Sequence, residues 1–116
     1  MYFLDKPSRL KIEGPKQVTP SEENVFDCST NPSFPGVNLM WRLNGKPVED
    51  GVVMTTKEQD GSTVSISSLS LSVDSTSSQA TIICFVEGNA LELQAQKLVK
   101  IIGFRLSNKD SLYLYF

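Results

Sequence analysis

The chain has 116 residues, enough for one domain with a modest core and too few for two. Its apolar content of 40% is that of a globular protein, which excludes wholesale disorder, and its net charge of −2 offers no basic footprint for nucleic acid. No run of about 18 or more apolar residues is present, so there is no candidate for a membrane-spanning helix.

The opening "MYFLDKPSRLK" has two charges and a proline within its first seven residues, too polar for the apolar core of a secretory signal. The expectation is either an excised piece of a longer protein or an intracellular chain. "SRLKIEG" alternates at Leu10 and Ile12 until Gly14-Pro15 breaks it, and "NVFDCST" places Phe26 and Cys28 on one face. "NPSFPG" reads as a loop. "VNLMWRL" follows, with Val37, Leu39, Trp41 and Leu43 in phase, and it stops at the turn Asn44-Gly45. "GVVMTTKEQDG" reads as a short strand ending in an Asp-Gly turn.

In "STVSISSLSLSV", Val64 and Ile66 share one parity while Leu69, Leu71 and Val73 share the other. A bulge or bend at Ser67-Ser68 is expected, because it would put both sets on the core side. "DSTSSQ" is a polar corner, and "ATIICFVEG" is the most hydrophobic strand. "NALELQAQKLV" has helix-forming composition, with Leu91 and Leu98 at a spacing that suits a helical stripe. Its place directly after a strand and a Gly-Asn turn makes it a return strand. Seven or eight short strands separated by turns point to an all-β sandwich.

Two cysteines alone do not make a zinc site, and Cys28 and Cys84 read as one disulfide or two buried thiols. Catalysis finds no support. Serines are plentiful, but no histidine exists to act as their base. Glu49, Asp50, Glu58 and Asp60 are scattered around turns, a poor calcium cage, and no cofactor or small-molecule substrate is expected. No asparagine lies in a usable glycosylation sequon, since Pro32 blocks the one at Asn31.

The order Cys28, Trp41, Cys84 is that of an immunoglobulin domain, and the sequence resembles this superfamily from about residue 7 to residue 102. It looks most like constant-type domains of nephrin-like and nectin-like adhesion receptors. "FDCSTNPSFPGVNLMWRLNGKPV" and "SSLSLSVDSTSSQATIICFVEG" carry the resemblance. The short interval from Trp41 to Cys84 favours the constant type over a variable domain. The resemblance implies a Greek-key sandwich of two antiparallel sheets, a Cys28–Cys84 disulfide, and Trp41 as a core pin rather than part of a ligand site. Two positions depart from the pattern. Ile82 stands where a corner tyrosine is common, and Ser78 where an aspartate is usual. Residues 103–116, "GFRLSNKDSLYLYF", fall outside the pattern as a linker, the start of a following domain or a foreign tail.

If Trp41 and Cys84 face the core, Met40 and Arg42 face outward on one strand, as do Ile83, Phe85 and Glu87 on its neighbour. Met40, Ile83 and Phe85 are then expected to form an exposed apolar patch, with Arg42 and Glu87 near its rim. The plain alternative is that a neighbouring domain or the tail covers this face. The resemblance implies a cell-surface recognition module that binds another immunoglobulin-type protein or itself and meets a membrane only through a parent chain. A structural domain of a titin-like filament protein and a passive ectodomain spacer are the rival readings.

Overall fold

Alternation of apolar and polar residues decides the architecture, because a strand with one apolar face is stable only when that face meets another. The computed structural model describes residues 7–73, 78–88 and 93–102. Its strands are β1 (Leu10–Glu13), β2 (Gln17–Val18), β3 (Asn24–Thr30), β4 (Leu39–Leu43), β5 (Lys46–Val48), β6 (Val52–Gln59), β7 (Ser62–Leu71), β8 (Gln79–Val86) and β9 (Gln94–Ile101). Two sheets form, one in the order β1-β3-β7-β6 and one in the order β2-β9-β8-β4-β5. The all-β sandwich expected from the sequence is present. The helix-compatible stretch is a strand where it is described, over Gln94–Ile101, and Leu91 lies outside the described residues. Asp74, the Asn89 side of the adjoining turn and the tail 103–116 also lie outside them.

The strand count exceeds the expected seven or eight because the first strand divides at Gly14-Pro15. β1 pairs antiparallel with β3 in one sheet, and β2 pairs parallel with β9 in the other. The second sheet is therefore mixed, not purely antiparallel as expected. The crossing runs close over Phe26, where a Cβ on Gly14 would come within 2.5 Å of the ring. Two hairpin turns are those the sequence signals. Asn44 and Gly45 both have positive φ between β4 and β5, as do Asp60 and Gly61 between β6 and β7.

β7 departs from expectation. No bulge occurs at Ser67-Ser68, and pairing is continuous with β3 on one side and β6 on the other. The buried residues of this strand are Ser65, Ser67 and Leu69, so Val64 and Ile66 point away from the core. Buried hydroxyls make this parity tenable. Ser67 Oγ accepts the Trp41 indole N–H at 2.7 Å, Ser65 Oγ accepts the Val37 amide at 3.0 Å, and Thr30 Oγ1 accepts the Ser65 amide at 3.1 Å.

The centre of the core is a four-residue cross-link. Cys28 lies opposite Ser67 in one sheet, and Trp41 opposite Cys84 in the other. The Cys28–Cys84 disulfide, with Cα atoms 6.5 Å apart, joins one pair of corners, and the indole hydrogen bond joins the other. Trp41 is 1% exposed and lies in the core. Phe26, Leu39, Leu69, Ile82 and Val99 pack around this centre. Ile82 is fully buried where a corner tyrosine is common. Beside it, Asn44 ties the β4–β5 turn to β8 by donating its amide to Thr81 O at 2.8 Å and accepting the Thr81 amide on Oδ1 at 2.9 Å.

Candidate protein-recognition face

β4 and β8 bury alternate residues, Leu39 and Trp41 on one, Ile82, Cys84 and Val86 on the other, and so present the residues between them outward. Their register sets Met40 opposite Phe85 and Arg42 opposite Ile83. The sheet brings Met40, Arg42, Ile83 and Phe85 into one cluster, as their parity implies. All four are half-buried rather than openly exposed. The reason is local. Arg42 lies over Phe85, its guanidinium carbon 4.5 Å from the ring centroid, so it covers the patch instead of standing at the rim.

Glu87 does mark an end of the cluster. Its carboxylate accepts the Asn38 side-chain amide at 2.9 Å, and that amide also lies 3.8 Å from Met40 Sδ. The cluster thus has an aromatic and thioether centre under a cation, and a carboxylate held by an amide at one end. Among the described residues Arg42 has no carboxylate partner.

β9 enlarges this face with residues that the sequence reading did not assign to it. Gln94 lies opposite Phe85, Gln96 opposite Ile83, and Leu98 opposite Thr81. Leu98 is 58% exposed, the most open apolar side chain on this sheet's outer surface. The available signal was parity, because Leu98 alternates with the buried Val99 and shares its phase with Gln94 and Gln96. Helix-forming composition obscured it.

The outward face of the other sheet has a different chemistry. Ser68 donates to Asp27 at 2.5 Å, Ser70 donates to Glu23, and Lys11 pairs with Glu13 at 3.0 Å. Several of its polar groups pair with one another, and its exposed Val25 and Val53 are separated by β7.

Two packed sheets, a cross-sheet disulfide and a tryptophan hydrogen-bonded beneath it define an immunoglobulin domain of constant type. The model of the CD80-like C2-set immunoglobulin domain matches residues 7–95, and the chain belongs to this family. Among curated proteins none matches the chain. Solved structures share its fold. The full ectodomain (Ig1–Ig3) of mouse nectin-like molecule 4 is 21% identical with a TM-score of 0.68, covering 82% of this chain and 34% of that one. Rst D1-D2 is 16% identical with a TM-score of 0.67, covering 82% of this chain and 48% of that one. IgNAR antibody domain C1 is 16% identical with a TM-score of 0.61, covering 86% of this chain and 97% of that one. The chain therefore spans less than half the length of the first two.

Proposed function

We propose that this domain is a non-enzymatic recognition module of a cell-surface adhesion receptor. It binds another immunoglobulin-type surface protein, or a second copy of itself, through the outward face of β4, β8 and β9. The observation that carries the reading is the Met40–Phe85 pair beneath Arg42, continued across the sheet towards Leu98. Aromatic, methionine and arginine side chains are the types enriched at protein interfaces, and aromatic and arginine residues often dominate their energetics. Gln94, Gln96 and Thr81 supply a polar surround that hydrogen-bonds without a strong desolvation cost. The disulfide supports an extracellular setting, since such bonds persist in oxidising compartments.

The test is binding of the immobilised domain to soluble immunoglobulin ectodomains and to itself. Phe85→Glu removes the aromatic anchor and places a carboxylate under Arg42. It is expected to weaken retention by about tenfold or more, the equivalent of burying one large apolar side chain. A partner that binds Phe85→Glu, Met40→Glu and Leu98→Glu as it binds the wild type would contradict the assignment of this face.

A further inference from the structure

An open sheet edge offers unpaired backbone groups to any extended chain, and most proteins shorten such edges or block them. This domain does so at three edges. β1 has 4 residues and includes Lys11 and Glu13, β2 has 2 residues, and β5 has 3 with Pro47 at its centre. β6 is the exception. Among the described residues it is an edge strand, 8 residues long, "VVMTTKEQ", without proline, and its pairing to β7 is unbroken from Val52 to Gln59. Val53 on this strand is 62% exposed.

The hydrogen-bond phase shows which backbone groups are open. Ser70 donates its amide to Gly51 O at 2.8 Å, which makes Gly51–Ser70 a hydrogen-bonded pair. Alternation then directs the backbone groups of Val53, Thr55 and Lys57 towards β7, and those of Val52, Met54, Thr56 and Glu58 towards the open edge.

We infer that β6 is a self-association edge, at which two copies of this chain pair antiparallel about a two-fold axis through Thr55 and join their sheets into one. A two-fold perpendicular to the sheet keeps the core side of both copies on the same side, so residues of equal parity must meet. Two registers give the longest pairing. The one centred on Thr56 sets Lys57 diagonal to Lys57 of the second copy. The one centred on Thr55 separates the lysines. It sets Thr55 against Thr55, Met54 against Thr56, Val53 against Lys57 and Val52 against Glu58. Threonine pairs favour cross-strand contact, and the lysine stem lies along the valine. Each hydrogen-bonded pair in this register uses residues whose groups point to the open edge. The inference is independent of the recognition face, which lies on the other sheet.

Cross-linking of the full chain tests it. Thr55→Cys places two thiols in a non-hydrogen-bonded pair with Cα atoms about 4.5 Å apart, within disulfide reach. Lys57→Cys places them four residues out of step, about 14 Å apart and beyond reach. Under mild oxidation Thr55→Cys is expected to yield a covalent dimer as the main product and Lys57→Cys is not. Adding Thr56→Pro, which deletes an amide on the open side only, is expected to abolish the dimer without unfolding the domain. Adding Phe85→Glu is expected to leave it intact. Equal cross-linking at both positions, no dimer from Thr55→Cys, or loss of the dimer with Phe85→Glu would overturn the inference.

Discussion

An indole N–H buried in hydrocarbon is costly unless something accepts its proton, so the acceptor matters as much as the tryptophan. Ser67 is that acceptor here, and its small side chain also leaves room for the ring beside the disulfide. Ser67→Ala keeps the volume nearly constant but strands the Trp41 donor. It should lower stability by about 1–3 kcal/mol, read as an earlier urea midpoint with the slope unchanged. A midpoint equal to wild type would mean that the indole is satisfied elsewhere. The importance of this serine was hidden in the sequence. Hydrophobic parity placed Val64 and Ile66 inside and required a bulge at Ser67-Ser68, whereas hydroxyl bonding holds Ser65 and Ser67 inside an unbroken strand. Parity built on apolar residues alone fails where a core takes in small polar ones.

At the scale of elements, hairpin chemistry was readily legible. Asn44-Gly45 and Asp60-Gly61 both turn where their sequences say, because two consecutive positive-φ residues match the twist of the flanking strands. The glycines nevertheless do unequal work. Gly51 has φ of +79° and opens β6, where a Cβ would sit 2.5 Å from Ser70 O, whose residue makes the first bond of the β6–β7 ladder. Gly61 has φ of +81° and no atom within 4 Å of its Cβ position. Gly61→Ala should therefore cost about 1–2 kcal/mol for the left-handed backbone alone. Gly51→Ala should add overpacking of about 1–3 kcal/mol to a similar strain. Chemical denaturation of the two variants checks this, and equal losses would show that Ser70 moves aside at no cost. The division of the first strand was less legible. Gly14-Pro15 signals a break, but a break does not reveal that the two pieces join opposite sheets.

For the molecule as a whole, the order Cys28, Trp41, Cys84 carried the fold, because only one common sandwich places those residues at neighbouring points of two sheets. The disulfide closes a long loop, with a sequence separation of 56. The chain-entropy model assigns such a loop roughly 4 kcal/mol, a large part of the stability of a small domain. Reduction should therefore bring the urea midpoint down sharply, while the intact mass of the unreduced protein should show no alkylatable thiol. The proposed recognition face was legible in part. Alternation on β4 and β8 located Met40, Arg42, Ile83 and Phe85 on one surface, but the stacking of Arg42 on Phe85 depends on diagonal distance across the register, which no single strand encodes.

β4 and β8 divide their residues between a buried side that makes the fold and an outer side that is the proposed recognition face. Urea denaturation of Phe85→Glu beside Phe26→Glu tests that division most directly. Phe26 is fully buried in phase with Cys28, and a carboxylate there loses about 3–5 kcal/mol of packing and adds an unpaired buried charge. Phe26→Glu is expected to be unfolded without denaturant. Phe85→Glu forfeits mainly the Arg42 stacking and should unfold within about 1 kcal/mol of wild type. Collapse of Phe85→Glu to the level of Phe26→Glu would show that Phe85 belongs to the fold and leaves no free face at this position.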